Sequence, residues 1–221
     1  MLKGKPMRKN VMKMFLVIPI SLFFSHNGFA QTIENRWGIG ARISYYGLND
    51  TMIESINFDP DSTALFEGNL TYFFNKMFSL DLGVGYTKPD VNAEALGLSV
   101  EFGELKQIPI TLTGRIYYWY PDSTTNLYFG VGVGYYLNDF DLSSAYTSVM
   151  PGYTLDADDS FGFHLNTGLE YFINDKVALG IDLKYIWNDA DFTAFEPGFA
   201  AETTNIDLEG FSVGLGIKYF F

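Results

Sequence analysis

The chain has 221 residues, with 14 Lys and Arg against 26 Asp and Glu, a net charge of −12, and no cysteine. That length makes one domain or two small ones. The acidic balance excludes a nucleic-acid surface, and the missing thiols exclude a disulfide framework, a thiolate zinc site and a catalytic cysteine. Hydrophobic residues at 48% exclude disorder, while 18% aromatics, 22 glycines and only 18% charged side chains are unusual for a soluble enzyme and point to a β-rich wall.

The first thirty residues have the order of a secretory signal peptide. Met1 to Lys13 carries Lys3, Lys5, Arg8, Lys9 and Lys13 without an acid, and Met14 to Phe24 is apolar apart from one serine and one proline. Small residues then stand at Gly28 and Ala30, the −3 and −1 positions of a cut after Ala30. The apolar run is too short for a membrane-spanning helix, which needs about 20 residues. Cleavage there leaves 191 residues; with five of the 14 cations gone and all 26 acids kept, the net charge becomes −17. Residues 1–30 are therefore expected to be a leader and residues 31–221 a single domain.

From Arg36 onward the dominant pattern is strict alternation, the period of a β-strand. The first predicted strand puts Trp37, Ile39, Ala41, Ile43 and Tyr45 on one face, and the second puts Phe66, Leu70, Tyr72 and Phe74 there. The third does so with Phe78, Leu80, Leu82, Val84 and Tyr86, and the fourth with Ile108, Ile110, Leu112, Ile116 and Tyr118. The fifth follows with Leu127, Phe129, Val131, Val133, Tyr135 and Leu137, and the sixth with Phe161, Phe163, Leu165, Leu169 and Tyr171. The seventh runs Val177, Leu179, Ile181, Leu183, Tyr185, Trp187, and the eighth Phe211, Val213, Leu215, Ile217, Tyr219, Phe221. Short polar turns at Asn75-Lys76, 121–126 and 173–176 alternate with long acidic loops at about 47–63, 88–105, 138–159 and 188–205. Short turns at one end and long loops at the other mark an eight-stranded antiparallel up-and-down transmembrane β-barrel of a bacterial outer membrane.

A soluble eight-stranded barrel of the lipocalin kind is the alternative fold. It fits poorly, because the apolar face carries no charge and only Thr167 is polar without a ring, while aromatics gather at the strand ends. Two rings of amphipathic aromatics suit the two membrane interfaces. The apolar face is therefore expected to meet lipid and lipopolysaccharide.

The opposite face then lines the lumen. It holds Arg42, Arg115, Lys184 and Lys218 together with Glu67, Asp81, Glu170 and Asp182, with Arg36 at the rim. Four cations and four anions in a low-dielectric space are expected to pair, either as a stabilising plug or as a narrow polar path or gate. Tyr46, Tyr117, Trp119, Tyr128, Tyr136 and Phe220 are candidate fillers, against inward glycines that leave room. Pro109 cannot donate to a ladder, so it marks a strand start or a break that opens the wall sideways. Phe58, Leu65, Phe66, Leu96, Leu98, Phe102, Phe140 and Leu142 lie in or beside the long loops and are candidate linings of a vestibule.

Little else suggests chemistry. Asp156, Asp158 and Asp159 have an oxygen-ligand spacing but no EF-hand pattern, so no metal or other cofactor is expected. His164 is the only histidine beyond residue 30 and has no serine beside it, so it reads as a hydrogen-bonded filler and the chain as no enzyme.

The strings Gln107-Ile108-Pro109-Ile110-Thr111-Leu112, Tyr117-Tyr118-Trp119 and Tyr128-Phe129-Gly130-Val131-Gly132-Val133-Gly134-Tyr135-Tyr136 resemble the OmpW family of small outer-membrane barrels. So do Asp159-Ser160-Phe161-Gly162 and Gly168-Leu169-Glu170-Tyr171-Phe172-Ile173-Asn174. The resemblance implies a hydrophobic lumen and a lateral route for small apolar molecules. It also implies a gate near the Asp-Ser pair, where the family has Trp and this chain has Phe161. The final strand, with Gly216, Tyr219 and Phe221, resembles the signal read by the barrel-assembly machinery. The expected function is a narrow channel passing small hydrophobic molecules from an extracellular vestibule sideways into the membrane. The alternative is a sealed structural, adhesion or receptor barrel of the OmpA type.

Overall fold

The computed structural model describes residues 33–53, 56–95, 98–119 and 124–221; the expected signal peptide lies outside them. In chain order the strands are β1 (Arg36–Leu48), β2 (Thr51–Ile53), β3 (Ile56–Pro60), β4 (Thr63–Phe73), β5 (Phe78–Tyr86), β6 (Asp90–Ala95) and β7 (Leu98–Trp119). There follow β8 (Thr125–Leu142), the short helix α1 (Ser144–Val149), β9 (Thr154–Ala157), β10 (Ser160–Phe172), β11 (Val177–Trp187), β12 (Asp189–Phe195), β13 (Glu202–Asp207) and β14 (Gly210–Phe220).

Eight of these close on themselves. Antiparallel pairing runs β1, β4, β5, β7, β8, β10, β11, β14 and back to β1, so the barrel has no free edge. Each corresponds to one predicted strand. Alternation holds throughout: Trp37, Ile39, Ile43 and Tyr45 stand exposed on the outer wall, while Ser44 and Tyr46 are buried inside. Thr167, the polar exception outside, donates its hydroxyl to the Tyr128 carbonyl at 2.9 Å, which leaves its methyl group for the lipid. Girdle tyrosines bond upward in the same spirit. The Tyr45, Tyr135 and Tyr185 hydroxyls reach Ser62 (2.5 Å), Asp159 (3.0 Å) and Glu209 (3.0 Å) in the long loops.

Two of the expected short turns are set by single asparagines, and the third, 121–126, lies partly outside the described residues. Asn75 Oδ1 accepts from the Met77 and Phe78 amides, and Asn174 Oδ1 accepts from Lys176 and Val177. Both are Asx turns, which reverse the chain without a glycine. Asn35 takes φ = 57°, a left-handed conformation that asparagine tolerates. Ile33 just before it is fully buried among the aromatic side chains that close this end of the barrel.

The long connections are not irregular loops. β7 has 22 residues and β8 has 18, which at about 3.3 Å per residue is far more than an apolar band about 25 Å tall requires. Above the membrane β2 and β3 extend the sheet through β6 onto β7, while β9, β12 and β13 form a separate three-stranded sheet. The segments 88–105 and 138–142 were expected as loop because their outward positions turn polar. Asp139 and Asp141, for example, pair there with Lys106 across the β7–β8 ladder, Asp139 at 3.5 Å. Outer polarity marks the end of lipid, not the end of the strand.

Inward glycines are fixed by space. A side chain at Gly130 would meet Asn166, Thr113 and Arg115, whereas Gly68 on the outer wall faces nothing within 4 Å. Gly130→Leu is expected to destabilise the barrel by about 1–3 kcal/mol or more, and Gly68→Leu to be tolerated. Urea unfolding in lipid vesicles, followed by tryptophan fluorescence, compares the two.

Candidate functional site

The strand register turns the eight predicted lumen charges into the barrel and sets small partners beside most of them. Glu67 lies across from Arg42 on one side and Gly85 on the other. Arg42 also faces Gly216, Arg115 faces Gly130, Asp182 faces Gly168 and Gly214, Lys218 faces Gly40, and Glu170 faces Gly180. A long charged side chain can fold across the lumen only where the neighbouring strand contributes no bulk. The interleaved glycines supply that clearance.

The charges pair in two sets of four, Arg42, Glu67, Asp182 and Lys184 in one and Arg115, Asp81, Lys218 and Glu170 in the other. Arg42 bridges Asp182 Oδ1 (3.0 Å) and Glu67 Oε2 (3.3 Å), and Lys184 Nζ reaches Glu67 Oε1 at 2.8 Å. Arg115, 2% exposed, grips Asp81 with both terminal nitrogens at 3.0 and 3.1 Å, the bidentate geometry that planar guanidinium suits best. Lys218 Nζ sits 2.6 Å from Glu170 and 4.0 Å from Asp81. Neutral groups satisfy further lone pairs: Asn69 and Thr71 donate to Asp81, Tyr128 and Asn166 to Asp182, and Tyr117 to Glu170. His164 is buried and its Nε2 lies 2.8 Å from the Thr113 hydroxyl.

Apolar plugs close the lumen on both sides of this layer. Toward the short turns, Phe73, Tyr117, Tyr128, Phe172 and Phe220 pack with Ile33 and Ala178. Their rings meet at 4.9 Å (Phe73 with Tyr117), 5.8 Å (Phe73 with Phe220) and 5.4 Å (Phe172 with Phe220). Toward the long loops, Tyr46, Leu65, Tyr136 and Ile186 are buried, with the Tyr46 hydroxyl bonded to Gln107 at 3.0 Å. The candidate fillers Tyr46, Tyr117, Tyr128, Tyr136 and Phe220 therefore all fill; the Trp119 side chain lies outside the described set. Cavities of about 20 and 10 Å³ stand beside the charges, room for about one water each. The wholly hydrophobic lumen implied by the family resemblance is corrected here: apolar side chains cap each end, and ions hold the middle.

Above the upper plug the two loop sheets enclose a cavity of about 310 Å³. Phe58, Val91, Phe102, Leu105, Phe140, Leu155, Phe192, Ile206 and Leu208 line it, with Thr51, Tyr153, Glu202, Thr204 and Asp207 supplying polar atoms. Of the expected lining, Phe58, Phe102 and Phe140 are in place, and Leu65 and Leu142 belong to the cluster beneath and around it. Phe66 is corrected: it is 56% exposed on the outer wall. Leu96 lies outside the described residues, as does the side chain of Leu98. Phe192, Leu155 and Ile206 were missed, although Ala190 and Phe192 alternate with Asp189 and Asp191 in a segment taken for acidic loop. The Tyr153 hydroxyl is held above the usual phenol range, first by partial burial and then by Tyr146, Glu196 and Glu202.

Pro109 lies near the middle of β7, buried, its ring reaching the space beside Gly85. The β5–β7 ladder runs to Val84 opposite Ile110 and then stops, and pairing resumes only at the bridge between Thr87 and Gln107. The gap is where a Pro109 N–H would have bonded the Gly85 carbonyl. On the opposite edge Pro109 keeps its register with Tyr136. The strand-start reading of Pro109 is therefore corrected to an interruption inside a long strand, next to the 10 Å³ void under the vestibule. Phe161 stands 55% exposed on the outer wall, its ring 5.5 Å from Phe163 and away from the cavity. Asp159 accepts from Tyr135 and from the Asn138 amide, and among the described residues no three His, Cys, Asp or Glu converge to hold a metal ion.

The OmpW family model matches residues 28–221. The chain belongs to the OmpW family. Outer membrane protein W of Vibrio cholerae is 30% identical over 127 residues, covering 56% of this chain and 58% of that protein's own length. In structure the chain resembles OprG of Pseudomonas aeruginosa, at a TM-score of 0.75 and 20% identity over 85% of this chain and 96% of OprG. It also resembles outer membrane protein AlkL solved in lipid bilayers, at 0.59 and 25% over 85% of this chain and 90% of AlkL. This OmpW-family protein is thus a β-barrel of the bacterial outer membrane, as its uncharged outer wall requires.

Within the lumen, Arg115→Met leaves Asp81 buried without its bidentate partner and is expected to cost about 3–5 kcal/mol. The double change Arg115→Met with Asp81→Leu should recover much of that loss. Urea unfolding of the two single variants and the double variant in lipid vesicles reads the coupling, and simple additivity of the two single losses would contradict it.

Proposed function

We propose that this OmpW-family barrel is a narrow passive channel that takes small hydrophobic molecules from the cavity between its extracellular loops and releases them sideways into the membrane. One observation carries the reading: a 310 Å³ apolar cavity stands directly over a lumen that is closed along its axis. A solute arriving there has no continuous path to the periplasm, because the Tyr46–Tyr136 floor, the ion-paired layer and the Phe73–Phe220 plug lie in series. The interrupted ladder at Gly85 and Pro109 supplies the weak point in the wall, at the level of the cavity floor. Pro109 would then act by withholding a hydrogen bond, and Phe161 as part of the outer surface the solute meets beyond the wall.

In the same reading residues 1–30 are a cleaved leader and residues 31–221 the barrel domain. Gly216, Tyr219 and Phe221 address the chain to the barrel-assembly machinery, and the exposed apolar wall contacts outer-membrane lipid with lipopolysaccharide outside. Tyr219 and Phe221 both point outward, where a recognition partner can reach them. The filled lumen favours a second reading, a sealed structural, adhesion or receptor barrel of the OmpA type.

Flux separates the two. Proteoliposomes holding the protein should take up an apolar dye faster than protein-free vesicles, while planar bilayers show no steady ion conductance. Ala194→Trp, which fills the cavity, should cut dye uptake several-fold, and Pro109→Ala, which restores the missing donor, should lower it as well. Dye uptake indifferent to both substitutions would leave the sealed barrel as the better account.

A further inference from the structure

The chemistry of the vestibule names its ligand class more narrowly than apolarity does. Four phenylalanines form one contiguous wall: Phe58 meets Phe102 at 5.3 Å, Phe102 meets Phe140 at 5.6 Å, and Phe140 meets Phe192 at 6.0 Å between ring centroids. Glu202 and Asp207 contribute the charges of the lining, and no cation contributes to it. Neither carboxylate has an ion-pair partner among the described residues. The surroundings reinforce the sign. Segments 49–62, 88–105, 138–159 and 188–209 hold nineteen acids and one cation, Lys88. That lysine is paired with Glu104 at 2.6 Å, and the neighbouring Lys106 is held by Asp139 and Asp141.

We infer that the vestibule selects lipophilic monocations, molecules with a compact aromatic or aliphatic body and a single ammonium head. The inference rests on the reading of the cavity as an entry site for apolar solutes and adds the charge to it. Three physical terms act in the same direction. The negative faces of phenyl rings attract a cation placed over them, most strongly where water is displaced. A cleft with low-dielectric walls focuses the field of the surrounding carboxylates and concentrates counter-ions of the opposite sign. A neutral hydrocarbon gains nothing from the exposed Glu202 and Asp207, and an anion is repelled by rings and carboxylates alike. The volume of about 310 Å³ admits a substituted phenyl ring with a quaternary ammonium group and excludes bulky amphiphiles.

Three probes of nearly equal shape decide the matter: benzyltrimethylammonium, neutral neopentylbenzene and anionic benzylsulfonate. Each is titrated by ligand-observed NMR against the whole protein in phosphatidylcholine nanodiscs, with empty nanodiscs subtracted. The cation should bind ~10-fold more tightly than the neutral probe, the anion should show no binding, and added salt should weaken only the cation. Glu202→Gln combined with Asp207→Asn lies at the exposed mouth and should leave the folded, heat-modifiable gel band unchanged while reducing the cation to the level of neopentylbenzene. Phe102→Ala should weaken cation and neutral probe together. Equal binding of cation and neutral probe overturns the charge selection and leaves the apolar vestibule standing, and so does an unchanged cation preference in the double variant. Failure of neopentylbenzene and cation alike overturns the vestibule itself, and the selection with it.

Discussion

An eight-stranded wall encloses so little space that every ionised group pointing inward must find its counter-charge within a few ångströms. The rest of this structure depends on that requirement. Arg42, Arg115, Lys184 and Lys218 have only Glu67, Asp81, Glu170 and Asp182 to meet, and the ladder brings them together in two sets of four. The same confinement explains the glycines. Gly130 and Gly214 flank the arginines because a methyl group there would occupy the path of the guanidinium stem or its partners. Charge neutrality and glycine placement are thus two faces of one steric condition, and together they hold the strands in register as well as filling the barrel.

Sealing the axis has a consequence at the outer end. Because the strands β7 and β8 continue well past the apolar band, the chain builds a second compartment above the first, walled by loop sheets instead of lipid-facing strands. The two compartments have opposite chemistry. The lower one is ionic and packed; the upper one is aromatic, open and bordered by the acids Glu202 and Asp207. Pro109 sits at their boundary, where one absent N–H loosens the β5–β7 seam without disturbing the β7–β8 seam. An open cavity, a filled shaft and an interrupted ladder are the features on which the proposed lateral channel rests, and each follows from a different property of the sequence.

Most of the barrel was legible before any coordinates. Alternation with period two, uninterrupted by outward charge, specified eight strands and which side chains faced lipid, and Phe161 and Phe163 stand outside as their parity requires. The lumen charges followed from the same parity. The vestibule did not. Its walls come from segments where both faces meet water or one another, so the outward positions are polar and the contrast that reveals a strand disappears. Phe192 and Leu155 lie among acids, and their meeting with Phe140 and Phe102 across a cavity depends on which loops fold toward each other.

The sequence alone therefore determined the wall: membrane contact is a property of one strand face, and a face is written locally in every second residue. Pairing across the lumen, the depth of Pro109 within its strand and the existence of a cavity between two loop sheets were decided only by tertiary structure. They depend on which distant residues stand opposite one another, a matter of register and closure that no local pattern contains.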